Sequence, residues 1–328
     1  MATYKGIKGV RVQSKASDPT ASEADGTVWY NTATSLLKYA IQGAGAWASG
    51  GAVNTGRGTM GCTGIQTAAI IFGGSPSSKN NSETYNGSSW TNTPTLNTGV
   101  QYNVGFGTST AAINTNGVGP SGSANSAVTE IWNGSTWTTT TALPTGRQSA
   151  MAANQGTTTA GCIFGGVTDT PFPPTLTYLN LHEQWDGSAW SEQNNLNTAR
   201  KEGGGGGTQG AAFAAGGYTG SPSALVELWN GTCWVVGNTI NTARQNTGSA
   251  GTTTSALLYS GDGPVQITEK YDGTSWTEVA DLADSHVQPG KGTGLSGGSA
   301  LCASGSITST EEWTVPADVV TAKTFSSS

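Results

Sequence analysis

Charge is scarce in this chain: Asp, Glu, Lys and Arg together make up 10% of 328 residues, with only two histidines, four cysteines and three methionines. A low charged fraction beside many Thr, Asn and Trp suits short strands and tight turns rather than helices. Cys62, Cys162, Cys233 and Cys302 form no CxxC pair, and Cys62, Cys162 and Cys302 sit inside small apolar strands, so buried free thiols are a simpler reading than disulfides. No segment approaches membrane-spanning length, and Met1-Ala2-Thr3-Tyr4-Lys5 has no apolar signal region, so neither membrane insertion nor export is expected. Lys5, Lys8, Arg11 and Lys15 precede the first acid, Asp18, leaving ten basic against twenty acidic residues beyond them. That acidic remainder excludes a nucleic-acid binder. The basic start is either a docking arm for an acidic protein surface or a solvated tail. Forty-nine glycines alongside Ser and Thr also fit disorder. Eleven regularly spaced tryptophans and apolar runs such as Ala68 to Phe72 argue against it.

What the chain does have is a repeat. Glu83-Thr84-Tyr85-Asn86-Gly87-Ser88-Ser89-Trp90 returns at Glu130 to Trp137, Glu183 to Trp190, Glu227 to Trp234 and Glu269 to Trp276, and Glu311-Glu312-Trp313 is a sixth copy cut short. A period in the low-to-mid forties with aromatic punctuation marks a β-propeller, four strands to each blade. In the unit Arg57 to Trp90, the first strand is the glycine-rich Gly58 to Gly64, and the second is Ala68 to Phe72, closed by Gly73-Gly74. The third is Ser82 to Tyr85, and the fourth is Ser88 to Trp90. Asn-Gly or Asp-Gly between the last two predicts a type I′ hairpin with positive φ at both residues. Glycines of the first strands (203 to 207, 248, 251, 292 and 294) suit strands crowded at the axis. Trp47, Trp90, Trp137, Trp190, Trp234 and Trp276 are expected to pack between neighbouring blades.

The sixth repeat has a first strand near Lys291 to Leu295, a second at Ser299 to Ser304 and a third ending at Trp313, but no fourth. Gly45-Ala46-Trp47-Ala48, with the exit Asn54-Thr55-Gly56-Arg57, matches a fourth strand without a repeat before it. The economical reading is an all-β, six-bladed propeller whose last blade is completed by the strand of Trp47, leaving no open edge. Pairing of Thr27 to Tyr30 and Leu37 to Tyr39 into a further blade is the seven-bladed alternative. The expected organisation is an arm and hairpin over 1–45, the propeller over 46–316 and a tail over 317–328.

The glycine pair after an apolar strand (Phe72-Gly73-Gly74, Phe164-Gly165-Gly166, Ala215-Gly216-Gly217), followed by an aromatic and a tryptophan, resembles the kelch repeat over roughly residues 47 to 313. The second and fifth copies depart from it, with Asn116-Gly117 and Ser260-Gly261. Gly26-Thr27-Val28-Trp29-Tyr30-Asn31-Thr32 with Ser35-Leu36-Leu37-Lys38-Tyr39, after Asp18-Pro19-Thr20-Ala21, is similar to a small hairpin common in tailed-bacteriophage fibre and other virion proteins. With Ala322-Lys323-Thr324-Phe325 near its end, the whole looks like a structural protein of marine, especially cyanobacterial, phages. That resemblance implies a virion component of tail-fibre or decoration type, present in many copies among other virion proteins. Alternatives are an adhesin for host-surface polysaccharide and a propeller carbohydrate-active enzyme.

Arg57, Arg147, Arg200 and Arg244 recur at one position between blades, where Gln101 or Val100 and His286 stand in the other copies. They could ring one mouth of the channel and hold an anion, or tie one blade to the next through loop carbonyls; the second follows from their repeating with the fold. The Asp-Gly-Thr-x-Trp of the fifth copy differs from the sialidase Asp-box, which separates its Asp and Gly by one residue. His182 and His286, in different blades, do not supply a copper site of the galactose-oxidase kind. The repeated glutamates read as hydrogen-bonding anchors between blades, and no triad, phosphate loop or catalytic carboxylate pair stands out. Hence no enzyme activity, cofactor or metal is expected. Recognition is expected in the variable loops 75–81, 117–127 and 166–180, the last with Phe172 and Tyr178 in an apolar, proline-stiffened insertion.

Overall fold

The computed structural model describes residues 12–17, 28–39, 44–76, 80–120, 125–171, 174–262, 266–290 and 293–316. Every regular element among them is a β-strand. The chain divides into two compact units, Ala46–Thr314 and Met1–Gly45 with Val315–Ser328.

In the smaller unit Val28–Asn31 pairs antiparallel with Leu36–Tyr39, and Gln13–Lys15 joins Val28–Asn31 in parallel. Trp29 lies opposite Lys38 and both are buried. Asn31 Oδ1 accepts the N–H of Thr34 across the turn. Lys15 ends the parallel strand, whereas Lys5, Lys8 and Arg11 lie outside the described residues.

The larger unit is a succession of antiparallel sheets in which each strand pairs with the next. Sheet one is Gly61–Ile65, Ala68–Phe72, Ser82–Tyr85 and Trp90–Thr93. Sheet two is Val104–Gly107, Ala112–Thr115, Thr129–Trp132 and Trp137–Thr140. Sheet three is Met151–Ala152, Gly161–Phe164, His182–Trp185 and Trp190–Glu192. Sheet four is Gly204–Thr208, Ala211–Ala215, Val226–Trp229 and Trp234–Val236. Sheet five is Gly248–Gly251, Ala256–Tyr259, Thr268–Tyr271 and Trp276–Val279. Sheet six has three strands, Ser299–Ala303, Thr310–Thr314 and Ala46–Ser49, with Trp313 opposite Trp47. Each third-strand aromatic faces a fourth-strand Trp in the same way: Tyr85 with Trp90, Trp132 with Trp137, and so on.

Three local expectations are corrected. The fourth strand of sheet one begins at Trp90 rather than Ser88. The hairpin before it is not type I′, because positive φ falls on Gly87, Gly134, Gly187, Gly231 and Gly273 but not on the residue before each. The Asn or Asp side chain removes the need: Asn86 Oδ1 accepts the N–H groups of Ser88 and Ser89, and Asp272 Oδ1 those of Thr274 and Ser275. Asn86 N–H bonds Ser89 O, so the hairpin closes with glycine alone in the left-handed region. In the sixth repeat, Thr293 and Gly294 form no strand; their N–H groups bond Ser249 O and Gly64 O instead. Lys291 and Gly292 lie outside the described residues.

The first strands neighbour one another in sequence order, and Ser299–Ala303 neighbours Gly61–Ile65. Glycine allows this approach: a Cβ on Gly205 would stand 2.5 Å from Ala152 O on the preceding sheet. At the entries to these strands, Thr59, Tyr102, Ser149, Glu202, Asn246 and Gln288 all take φ between 54° and 61°. These residues are hooked together by backbone bonds. Tyr102 N–H donates to Thr59 O, Ser149 to Tyr102 O, Glu202 to Ser149 O, Asn246 to Glu202 O and Thr59 to Gln288 O.

The apolar core is correspondingly divided into clusters between successive sheets. Trp137 of sheet two meets Phe72 of sheet one at 5.1 Å, Trp234 meets Phe164 at 4.8 Å, and Trp47 meets Tyr259 at 5.1 Å. Trp90 packs with Leu301 and Ala303 of sheet six. Edge-to-face packing of this kind adds about 0.5–1.5 kcal/mol to the area buried.

Candidate functional site

The recurring charged residues meet where the chain passes from one sheet to the next. Each crossing carries one five-residue pattern, an apolar residue followed by Asn-Thr-Gly/Ala-Arg or a variant of it. The copies are 53–57, 96–100, 143–147, 196–200, 240–244 and 282–286. The leading Val53, Leu96, Leu143, Leu196, Ile240 and Leu282 are all buried and pin the crossing into the core. The third-strand glutamate of the sheet being entered then grips the backbone. Glu227 accepts the N–H groups of Asn197 (2.7 Å) and Thr198 (3.3 Å), and Glu269 those of Asn241 (2.6 Å) and Thr242 (3.2 Å). Asn197 and Asn241 also donate Nδ2–H to the carbonyls of Trp234 and Trp276, holding the fourth strand to the same clamp.

The arginines close this clamp. Arg57 meets Glu83 at 2.6 Å, Arg200 meets Glu227 at 3.0 Å, Arg244 meets Glu269 at 2.5 Å, and Arg147 meets Glu183. Arg200 and Arg244 also donate to the second-strand carbonyls of Ala214 and Leu258. None of the four arginines is more than 4% exposed. The anion-holding ring is therefore corrected: Arg57, Arg147, Arg200 and Arg244 offer no open face, because each is buried against the glutamate of its own repeat. Burial pushes Arg57, Arg200 and Arg244 below the ordinary arginine range, and the facing carboxylates oppose that shift. Paired buried charges of this sort are costly to break singly.

Three copies vary the theme. In the second, Val100 replaces the arginine and Glu130 is held by Asn97 and Thr98 alone. In the third, Pro144 has no N–H to give, so Arg147 is the partner that remains for Glu183. In the sixth, the crossing reads Leu282-Ala283-Asp284-Ser285-His286. Glu311 accepts from Ala283 N–H (2.8 Å), Asp284 N–H (2.9 Å) and His286 Nε2 (3.1 Å). Burial alone would lower His286, but the adjacent Cys302 sulfur, the Glu311 carboxylate and the Ser304 carbonyl raise it well above the usual imidazole range. Burial likewise pushes Glu311 up, yet its bonds from His286 and the two backbone N–H groups leave it below the usual carboxylate range.

The other histidine behaves oppositely. His182 stacks edge-on to Trp229 at 4.4 Å and near Trp234, and its Nδ1 lies 3.3 Å from Trp234 Nε1. The same Nδ1 lies 3.4 Å from the Asn194 carbonyl, so it meets a donor and an acceptor at once, and which one it bonds is set by the tautomer. Burial and then the nearby Arg147 lower His182 to about 4, although the Asn194 carbonyl works against them. Cys62, Cys162 and Cys302 are buried and free as expected, while Cys233 is free and exposed beside its hairpin.

The third-strand position before each glutamate was not singled out in sequence. It carries the acceptor for the next sheet's tryptophan: Trp47 donates to Thr268, Trp90 to Thr310 and Trp190 to Thr129. The alternation of Ser82, Thr129, His182, Val226, Thr268 and Thr310 was the available signal. The left-handed residues at the strand entries share no residue type and left none.

Of the variable loops, 166–180 is built as a hairpin, Val167–Pro171 with Pro174–Tyr178. Leu176 on it is 54% exposed. Tyr178 packs edge-on to Tyr218 of sheet four at 5.8 Å, and Lys201 Nζ stands 5.6 Å over the Tyr218 ring. Phe172 lies outside the described residues. At the turns between first and second strands, Gly64, Ala68, Gly107, Asn154 and Leu295 line a cavity of about 190 Å³ that Gln155 crosses to reach Gly251 O and Leu295 O. No described helix is long and apolar enough to cross a membrane. The chain matches no protein-family model and no curated protein.

Proposed function

We propose that the chain is a non-enzymatic virion structural protein of tail-fibre or decoration type, a six-bladed kelch-like propeller held to the particle by residues 1–45. The observation that carries the scaffold part of this reading is the fate of the repeated charges. Arginine and glutamate, the residues a propeller hydrolase would aim at substrate, are buried against each other at every crossing that has both. Ring closure is supported by the pairing of Ala46–Ser49 with Thr310–Thr314 and by the backbone hook from Thr59 to Gln288. Six blades are favoured over seven because the hairpin of Trp29 belongs to the other compact unit and carries a parallel strand.

Attachment through the arm rests on the resemblance of residues 18–39 to phage hairpins. A second reading, host-surface glycan recognition, is favoured by the half-buried Tyr178–Tyr218 pair with Lys201, since partly accessible aromatic rings beside a cation suit sugar faces. The two separate in one experiment. Full-length protein and a version starting at Ala46 are offered to phage particles stripped of this component and to host cells. Arm-dependent binding to particles without cell binding is the expected result. Arm-independent binding to cells would replace the structural reading with the adhesin, and binding to neither would remove both.

A further inference from the structure

The sixth crossing departs from the others at two positions at once. Where the earlier copies have Thr55, Thr98, Thr145, Thr198 and Thr242, it has Asp284; where four of them have arginine, it has His286. Both changes converge on Glu311, which keeps its two backbone donors. The outcome is one imidazole and two carboxylates with donor atoms all within 4.8 Å of one another, two of them buried and Asp284 reaching solvent. Counting histidines in sequence could not find this set, because Glu311 lies on a different strand from the crossing.

We propose that Asp284, His286 and Glu311 form a binding site for a divalent cation of the zinc type. Nitrogen and carboxylate donors in this ratio suit a borderline ion better than the all-oxygen shells of Ca²⁺ or Mg²⁺. The His286 Nε2 to Glu311 Oε1 distance of 3.1 Å is close to the edge of a tetrahedron built on bonds of 2.0–2.1 Å, about 3.3 Å. The ion takes the place of the proton between these two atoms. His286 is oriented for this by its Nδ1, which bonds the Ser304 carbonyl, the second-sphere contact that metal-bound imidazoles use. Cys302 Sγ faces the same ring from the neighbouring strand and is the remaining titratable group there. Exposed Asp284 leaves the fourth position to water. An ion here would clamp the crossing 282–286 to Thr310–Thr314, the strand that pairs with Ala46–Ser49.

The test is zinc binding by calorimetry and metal analysis on chelator-treated full-length protein, wild type against His286→Arg and Asp284→Asn. His286→Arg restores the residue of four other repeats and its glutamate pair, so it is expected to remain folded, which thermal unfolding without metal checks. Wild type should take up about one Zn²⁺ per chain, with a rise in Tm and a tetrahedral Co²⁺ absorption spectrum. His286→Arg should lose all three signals, and Asp284→Asn should bind at least tenfold more weakly. No uptake by wild type, or equal uptake by folded His286→Arg, would overturn the site. Unchanged binding in Asp284→Asn would overturn the three-ligand assignment.

Discussion

At the scale of single residues, the repeat can be used as its own control. Five of the six third strands begin with a polar side chain, and sheet four begins with Val226. Its neighbour Trp276 is buried with Nε1 lacking an acceptor, as is Trp137, while the hydroxyl of Ser82 also stands unpaired. Val226→Thr is isosteric and supplies the hydroxyl that Thr268, Thr310 and Thr129 supply elsewhere. It should raise stability by about 1 kcal/mol in denaturant titration, and a loss would show that the indole is satisfied in another way. His182 makes a pH prediction. It is neutral when folded, with its proton affinity lowered to about 4 from 6.5. The unfolded chain therefore binds the extra proton first, so stability falls as pH drops from about 6.5 toward about 4. His182→Thr keeps an acceptor for Trp234 and removes the titration. The acid-side loss should shrink by up to about 3 kcal/mol, at 1.36 kcal/mol per pH unit. An unchanged slope in urea unfolding between pH 6.5 and 4 would refute the assignment.

At the scale of elements, hairpins and crossings divide the labour. The hairpins are local devices: an Asn or Asp carbonyl oxygen collects two N–H groups and glycine alone takes the left-handed turn. Their position was legible because the Asn-Gly and Asp-Gly pairs are contiguous. Their turn type was not, because it depends on where the Asx side chain bonds. Gly273 has φ near 95°, and a Cβ there meets Thr254 O at 3.2 Å, a tight contact rather than a hard clash. Gly273→Ala should therefore cost chiefly the left-handed strain, about 1–2 kcal/mol by thermal unfolding. The crossings are long-range devices. Glu227 and Arg200 stand 27 residues apart, and their pairing is invisible to any local rule. Their periodicity was visible in the sequence. Whether the arginines faced a ligand or the core was a question of burial, and the structure puts all four inside.

At the scale of the whole molecule, stability rests on interfaces between sheets rather than on one central core. Each sheet hands a tryptophan to its predecessor, and sheet six receives its own from Ala46–Ser49. A chain starting at Ala46 should therefore unfold cooperatively, whereas one starting at Gly50 exposes the outer edge of Thr310–Thr314 and deletes Trp47. Trp47 is half-buried, so the second should be less stable by up to the roughly 3–5 kcal/mol that a fully buried tryptophan would cost, and should self-associate through the bare strand. Equal melting of the two chains in calorimetry would show that this pairing contributes nothing to the larger unit.

Read alone, the sequence determined the all-β class, the repeat, its strands and the match of Trp47 to a missing fourth strand. These follow from residue types at fixed short spacings, which local geometry obliges a strand or turn to obey. Tertiary structure decided the rest: the guanidinium groups are buried, Thr59, Tyr102, Ser149, Glu202, Asn246 and Gln288 are forced left-handed by bonds to neighbouring sheets, and Asp284 and His286 meet Glu311. Each of these depends on which sheet lies beside which, and a contact between neighbours leaves no spacing rule within either one.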